Sequence, residues 1–208
     1  MKPFLQIAGF WGAVLVGAWM YSNSDVTQPP GVLTPGEPQQ IDIVGRSWQQ
    51  GDATFTALAQ FDVHARVLST NHYNYDPMSA LSPVDLALGW GRMSDSTVLA
   101  GIKVTQSDRF YFWRSLYDQR LPIPKEEVIS HSANMHMVPA SGSVKKSLLA
   151  IRKGEIVFLS GYLVKITRPN GWTWNSSLSR TDWGMGACEL VWVERVNHTG
   201  AVQQTASR

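Results

Sequence analysis

The sequence feature that most constrains the fold is an alternation of apolar and polar side chains between residues 55 and 67. Every second position is apolar, and these positions are Phe55, Ala57, Ala59, Phe61, Val63, Ala65 and Val67. Because successive side chains of a β-strand point to opposite faces, the pattern predicts a strand with one buried and one polar face. The run exceeds the usual strand length of about 5–6 residues, so we expect it to bend through a barrel or to pair with several neighbours.

A second group of β-rich runs lies between Lys153 and Val196. The runs Ile156–Ile166 and Leu190–Val193 are apolar on both alternating faces, which is typical of strands that are covered on two sides. The pair Asn170-Gly171 lies between β-rich runs and predicts a tight hairpin, because both residues tolerate positive φ. Gly161 predicts a bulge or a tight bend within its strand.

Short helices are expected between these strands. From residue 82 to residue 100 we predict two of them, interrupted by a Gly-Trp-Gly sequence around Trp90. Ser82 followed by proline would cap the first, with Asp85 completing the cap, and Ser94 and Asp95 would begin the second. The segment Ser143–Ile151 has the spacing of an amphipathic helix.

An aromatic strand is expected between Ile102 and Arg114, where Phe110–Trp113 are four consecutive aromatic residues. Such a strand is central in a sheet or contacts a partner through one face. Acidic residues after Pro124 predict one more short helix. Together these patterns predict an α+β domain: a bent antiparallel sheet or small β-barrel with strands near residues 55, 102, 156 and 186, and short covering helices.

The amino end indicates a membrane location. Phe4–Tyr21 is apolar except for Gln6 and glycine, and about 18 helical residues span roughly 27 Å, close to the bilayer hydrocarbon thickness of about 30 Å. We therefore expect residues 1–21 to form one transmembrane anchor, with a cleaved signal peptide or a buried soluble helix as alternatives. Since Lys2 is the only flanking positive charge, the amino end is expected in the cytoplasm and the remainder outside the membrane.

The composition of the remaining chain predicts three further regions. Residues 22–40 contain four prolines and few apolar side chains, which favours an extended, solvated linker that holds the domain away from lipid. The globular domain is expected to occupy residues 41–196. The polar residues 197–208 are expected to form a disordered tail.

Charge and cysteine content restrict the function. The 18 basic and 16 acidic residues give a net charge of +2 without a basic stripe, so nucleic acid is not expected as a partner. The single cysteine, Cys188, cannot form an internal disulfide. No metal-ligand set and no paired carboxylates stand out, so no metal or cofactor is predicted.

The most chemically suggestive stretch is Ser130–Ala140, which contains His131, Asn134 and His136. The two histidines are five residues apart and converge only if the chain turns between them, whereas paired zinc ligands on a helix are usually four apart. Asn134 and His136 would share one face of a strand. Structural hydrogen bonding, ligand binding and catalysis are all open for these residues.

Three further residues complete the predicted contact surface. Trp90 either plugs one end of the core or exposes a ring for binding. Arg180 and Asp182 are charged residues that follow the hairpin and precede a glycine-rich run. With His131, Asn134 and His136, they form the predicted ligand-binding set.

Cys188 is the one candidate nucleophile. It lies in phase with Leu190 and Trp192, which favours burial in an inert core. A thiolate activated by His131 or His136 would instead make a workable acyl-transfer pair.

Three blocks of the chain resemble segments of membrane-anchored or exported bacterial proteins that have no assigned function: SPVDLALGWGRMSD, HSANMHMVP and SSLSRTDWGMGACELVWV. The resemblance covers residues 55–196. It implies a shared fold and a bacterial envelope setting, and it supplies no catalytic residues.

Three functional hypotheses follow from the sequence. The first is a non-enzymatic binding or assembly module on the periplasmic side of a bacterial inner membrane, whose partner is another envelope protein or a glycan. The second is a hydrolase or transferase that uses Cys188 with His131 or His136. The third is a glycan-binding protein that uses exposed tryptophans.

Overall fold

The structure, a computed structural model, describes residues 24–118, 120–179, 182 and 186–198. The described strands are β1 Gln39–Asp42, β2 Ser47–Gln50, β3 Ala53–His72, β4 Val84–Gly89, β5 Ile102–Ser107, β6 Phe110–Ser115, β7 Ser132–Pro139, β8 Ile156–Thr167, β9 Thr173–Asn175 and β10 Glu189–His198. The described helices are a 3₁₀ helix at Gly91–Ser94 and α1 Ser96–Leu99, α2 Lys125–Ser130 and α3 Gly142–Leu149. The predicted apolar anchor and the chain after residue 198 lie outside these ranges.

Five strands form a ring of backbone pairings. The order is β3-β4-β7-β10-β8, and β8 pairs again with β3. The ring closes because β3 is long enough to pair with β8 through residues 54–66 and with β4 through residues 66–72. The expected bent sheet is therefore present, but the strand predicted near residue 102 lies outside it, because residues 102–115 form a separate two-stranded sheet of β5 and β6. The bent sheet is mixed rather than wholly antiparallel, since β7 and β10 run parallel.

The inside of the ring holds the main core. Alternate side chains of all five strands meet there, including Phe61, Leu86, Met135 and Leu163, each with no exposed surface. Leu148 of α3 is also fully buried in this cluster, so this helix covers the ring, as the sequence predicted for one short helix.

Gly161 is required where β8 passes β10. A Cβ atom at this position would lie 1.9 Å from the carbonyl oxygen of Trp192, so no side chain fits. The register between the two strands shifts between Val193 and Arg195, opposite Gly161. The predicted irregularity at Gly161 is confirmed, and it lies between two paired strands of the ring.

Gly171 adopts a φ of 83° in the turn between β8 and β9, which confirms the hairpin predicted at Asn170-Gly171.

The predicted helix after Ser82 is wrong. Residues Val84–Gly89 form strand β4, and all six of them are buried. A strand that is covered on both faces gives a continuous apolar run, which periodicity alone does not distinguish from a short helix. The second predicted helix is confirmed: the Asp95 side chain accepts a hydrogen bond from the Thr97 amide and caps α1.

The proline-rich segment packs on the domain rather than extending away from it. The Val26 amide donates to the carbonyl of Lys153 at 2.8 Å, and the amides of Leu33 and Thr34 donate to the hydroxyl of Ser94. Thr34 is fully buried. The expectation of a linker that holds the domain away from lipid is therefore wrong for residues 26–34: residues 29–32 are exposed, but Val26, Leu33 and Thr34 are bonded to the domain.

Strand β10 extends to the last described residues. The predicted tail began at residue 197, whereas Asn197 and His198 pair with β8. The His198 ring nitrogen Nδ1 lies 2.7 Å from a carboxylate oxygen of the buried Glu155, and Arg152 donates to the other oxygen at 3.0 Å. None of the helices in the described ranges has the length and apolar character needed to cross a bilayer.

Glu155 predicts an acid-sensitive component of stability. Burial alone would raise the pKa of this carboxyl, but hydrogen bonds from His198 and Arg152 outweigh burial and lower it below 4.5. A lowered pKa stabilises the fold above pH 4.5, and this contribution is lost as the pH falls through the folded-state value. We expect Glu155→Gln to lower the free energy of unfolding by about 1–3 kcal/mol at pH 7, and by progressively less below pH 4.5.

Urea unfolding between pH 3 and pH 7 measures this difference. Glu126→Gln is the matched control, because Glu126 is exposed on α2. If Glu155→Gln lowers the free energy of unfolding by the same amount at pH 3 and pH 7, the lowered pKa assigned to Glu155 is wrong.

Candidate functional site

A buried ionic cluster lies on the outer face of β4 and β7. Its centre is Asp85, which has no exposed surface. One carboxylate oxygen, Oδ1, accepts a hydrogen bond from Arg109 at 2.9 Å. The other, Oδ2, lies 2.9 Å from Nδ1 of His136, a contact that lacks the alignment of a hydrogen bond. The antiparallel register of β4 and β7 brings Asp85 and His136 opposite each other.

Arg109 belongs to the turn between β5 and β6. The turn residues Asp108 and Arg109 have φ values of 50° and 71°, as a two-residue hairpin turn requires. The Arg109 guanidinium reaches back to the ring, where it also donates to Asp76 at 2.8 Å and to the hydroxyl of Ser82 at 3.3 Å. This side chain therefore fastens the hairpin to the ring.

Aromatic rings enclose the charged groups. The Arg109 guanidinium carbon lies 3.6 Å from the centre of the Tyr73 ring, and the His136 ring lies 4.9 Å from that of Trp174. The Arg109 side chain is only 10% exposed. Because these charges are shielded from water, removing one partner of a buried pair strongly destabilises the fold.

Asn134 joins this cluster to an open cleft. Its amide nitrogen donates to the backbone carbonyl of Arg109 at 3.0 Å, and its carbonyl oxygen accepts from Gln106 at 2.6 Å. The same nitrogen lies 3.8 Å from the sulfur of Cys188. Asn134 thus links strand β5 and the β5–β6 turn to strand β7.

The cleft, which we call the aromatic cleft, has a volume of about 480 Å³. One wall is residues 110–113 of β6, and the floor is residues 132–134 of β7. Residues 187–189, which lead into β10 beside β7, also line the cleft, together with Ser179 and Asp182. Trp90 and Lys125 also border it. The cleft is mainly apolar with a few polar groups, as ligand sites usually are.

The predicted ligand-binding residues are only partly brought together. Asn134 and Asp182 line the aromatic cleft, whereas His136 faces Asp85 in the buried cluster. His131 ends α2, where its Nδ1 contacts the Ser130 hydroxyl at 2.8 Å. Arg180 lies outside the described residues.

Trp90 is a core residue that reaches the edge of the cleft. Its side chain is 1% exposed, so the exposed binding ring that was one alternative is wrong. The flanking glycines explain how it fits: Gly91 has a φ of 53°, and a Cβ atom there would lie 2.5 Å from the His131 ring. A Cβ atom at Gly89 would lie 2.6 Å from the carbonyl oxygen of Met93.

Cys188 is poorly suited to nucleophilic attack. Burial raises the pKa of its thiol to about 11, so the thiol is neutral near pH 7. Its contacts are the side chain of Asn134 and, at 3.9 Å, the backbone carbonyl of Arg109. Within the described residues, neither His131 nor His136 is bonded to it. The described ranges also hold no group of three His, Cys, Asp or Glu side chains that could bind a metal ion.

A raised thiol pKa predicts slow alkylation. A rise from 9.0 to about 11 lowers the thiolate fraction at pH 8 by roughly 100-fold, and alkylation follows the thiolate. We expect iodoacetamide to modify the folded protein about 100-fold more slowly than the urea-unfolded protein. The chain has one cysteine, so intact mass reports this site alone. A folded-state rate equal to the unfolded rate would restore Cys188 as a candidate nucleophile.

The residues that organise the site carry no local signal in the sequence. Arg109 was not singled out, because the turn that carries it contains no glycine or asparagine, the usual signal for such turns. Asp85 was assigned to a helix cap. The three residues of the cluster are far apart in the sequence, so no local spacing indicates that Asp85, Arg109 and His136 are in contact.

No protein-family model, no curated protein and no solved structure matches this chain.

Proposed function

We propose that this protein is a non-enzymatic binding or assembly module of a bacterial envelope, and that the aromatic cleft is the site at which it holds its partner. The observation that carries the proposal is the cleft itself. It brings the exposed aromatic side chains of β6 together with two polar floor residues, Ser132 and Asn134, and with the acidic residue Asp182. Such a surface suits recognition of an apolar segment with a few oriented polar groups.

The hairpin surface beside the cleft supports an interaction role. Phe110 and Phe112, which both line the cleft, are 37% and 56% exposed. Large apolar side chains that cluster at the surface next to a cleft are typical of contact sites. The buried ion pairs of Arg109 hold this hairpin in place, so the contact surface is rigid before a partner binds.

Catalysis is less well supported. An acyl-transfer site needs a nucleophile with a base in hydrogen-bond reach. The thiol of Cys188 has a raised pKa and its described contacts are an amide and a carbonyl. The glycan hypothesis required exposed tryptophans, and each tryptophan in the described ranges is buried or half-buried.

The order of the ring strands is that of small Greek-key barrels of the OB type, with a helix between the third and fourth ring strands. Barrels of that class bind oligonucleotides or oligosaccharides on the face of the second and third strands. Fold alone does not assign a ligand. In this chain that face carries the Arg109 cluster beneath the β5–β6 hairpin, so the accessible surface is the aromatic cleft beside it.

The proposed location depends on residues 4–21 as a membrane anchor, with the domain on the periplasmic side. Its support is the apolar sequence alone. Alkaline carbonate extraction of membranes is expected to leave the protein in the pellet. Release into the soluble fraction, or a mature amino terminus near Ser24, would refute the anchor.

Photo-crosslinking in intact cells tests the binding role. A photoreactive phenylalanine analogue at position 112, on the cleft wall, is expected to give an adduct of discrete mass. The same analogue at position 158 is the control, because Phe158 is 40% exposed on β8 of the ring rather than on the hairpin. Equal yields from both positions, or no adduct from position 112, would overturn the proposal.

A further inference from the structure

The free edge of β6 has a defined set of unpaired backbone groups. In a hairpin with a two-residue turn, the residues that flank the turn form a hydrogen-bonded pair, and the bonded pairs then recur at every second residue. Ser107 and Phe110 flank the turn, and Thr105 faces Phe112. The amide and carbonyl groups of Phe110 and Phe112 therefore point to β5, whereas those of Tyr111 and Trp113 point away from it.

The outward groups have no hydrogen-bond partner in the part of the chain that the structure describes. β6 pairs with β5 alone in a two-stranded sheet. Among the described residues, no other backbone group bonds the amide or carbonyl of Tyr111 or Trp113. An open strand edge is a template for another extended chain, and proteins normally cover or disrupt such edges.

This edge faces the aromatic cleft. Four consecutive residues, Phe110–Trp113, line the cleft although their side chains alternate between two faces of the hairpin. A row of consecutive residues lines a cleft in this way when the strand edge faces it. The floor beneath is residues 132–134, and Asp182 and Cys188 also line the cleft.

We propose that the occupant of the aromatic cleft is an extended polypeptide segment that pairs with β6 as a third strand. This inference rests on the proposed function and deepens it by naming the class of partner. The amides and carbonyls of Tyr111 and Trp113 supply two donors and two acceptors, about 6.8 Å apart along the strand. An extended chain presents complementary groups at that repeat, whereas a glycan or a lipid does not.

The side chains around the edge specify the segment further. On the outer face, Phe110 and Phe112 are 37% and 56% exposed. A paired strand would place every second side chain beside them, so apolar residues are expected at those alternate positions. The other side chains would point to the floor, where Ser132 and Asn134 are the polar groups.

Amide hydrogen exchange tests the pairing directly. The probe is a ten-residue peptide selected from a displayed random library against the full chain in phospholipid nanodiscs. We expect the selected peptide to have apolar residues at alternate positions, and to slow exchange of the Tyr111 and Trp113 amides at least tenfold. Two further peptides, each N-methylated at every second backbone nitrogen, carry their methyl groups on opposite edges of the strand. The peptide whose methylated edge faces β6 should bind at least tenfold more weakly, and the other should bind almost as well as the unmodified peptide.

Side-chain variants locate the contact. Phe112→Thr should weaken binding of the selected peptide about tenfold, and Phe158→Thr should leave it unchanged, since both side chains are substantially exposed and threonine suits a strand. If a selected peptide shifts the NMR signals of Phe112 but does not slow amide hydrogen exchange at Tyr111 and Trp113, the proposal of strand pairing is wrong. A library that yields no cleft-binding peptide would overturn it as well.

The proposed binding role of the cleft and the proposed peptide partner can be refuted independently. Crosslinks from position 112 to a glycan, a lipid or a folded surface would remove the peptide inference and leave the binding role. Absence of crosslinks from position 112 would remove the binding role itself.

Discussion

Replacing Arg109 with methionine is expected to lower the free energy of unfolding by about 3–5 kcal/mol, because the substitution leaves the carboxylate of Asp85 buried without its closest cation. Asp85 has no exposed surface, and Arg109 bonds it at 2.9 Å while also pairing with Asp76 at 2.8 Å. The turn that carries Arg109 would also lose its attachment to the ring. Urea unfolding at pH 7 measures the change.

A matched control separates burial from charge. Arg92 pairs with Glu127 at 3.2 Å, but the Arg92 side chain is 48% exposed, so Arg92→Met should cost about 0–1 kcal/mol. The double variant Arg109→Met with Asp85→Leu removes both buried charges and should be more stable than Arg109→Met alone. Equal costs for Arg109→Met and Arg92→Met would show that the buried pair does not hold the hairpin.

Replacing Trp90 with alanine is expected to cost about 3–5 kcal/mol, because a large side chain with 1% exposure leaves a cavity that the surrounding ring cannot fill. On either side of it, a side chain at Gly89 would clash with the backbone oxygen of Met93, and one at Gly91 would need a strained positive φ and a shift of the His131 ring. Thermal and urea unfolding both report the loss.

Trp90→Phe is the matched control for this residue. The indole N–H has no hydrogen-bond partner among the described residues, so phenylalanine keeps most of the buried ring and loses no described bond. We expect its cost to be less than half that of alanine. If Trp90→Ala instead leaves stability within 1 kcal/mol of wild type and abolishes crosslinking from position 112, then Trp90 acts as a binding ring and its assignment to the core is wrong.

Much of the ring could be predicted from single-strand patterns. The alternation in β3 identified its buried face, and Gly161 and Asn170-Gly171 marked a bulge and a hairpin that the structure contains. The strand is longer than predicted, and its register shifts between Ala57 and Ala59 and again between Val67 and Ser69. The apolar alternation continues through the first shift but passes from a second buried cluster, which holds Phe55, to the main core, which holds Phe61. At the second shift Val67 and Leu68 are both buried, and the alternation ends.

The failures have physical causes that a single sequence does not reveal. β4 is buried on both faces, and Ser82-Pro83 with Asp85 has the pattern of a helix cap, so the segment resembled a short helix after Ser82. The candidate site depends on Asp85, Arg109 and His136, which only the strand order brings together. The proline-rich segment has a linker's composition, yet the hydroxyl of Ser94 and the carbonyl of Lys153 bind its backbone.

The most direct test of the central claim, that β6 presents an open edge to the cleft, is amide hydrogen exchange of the free protein by NMR. The bonding pattern predicts that the Tyr111 and Trp113 amides exchange at least tenfold faster than those of Phe110 and Phe112, which bond to β5. Equal protection of all four amides would mean that the edge is already covered, and would contradict the account.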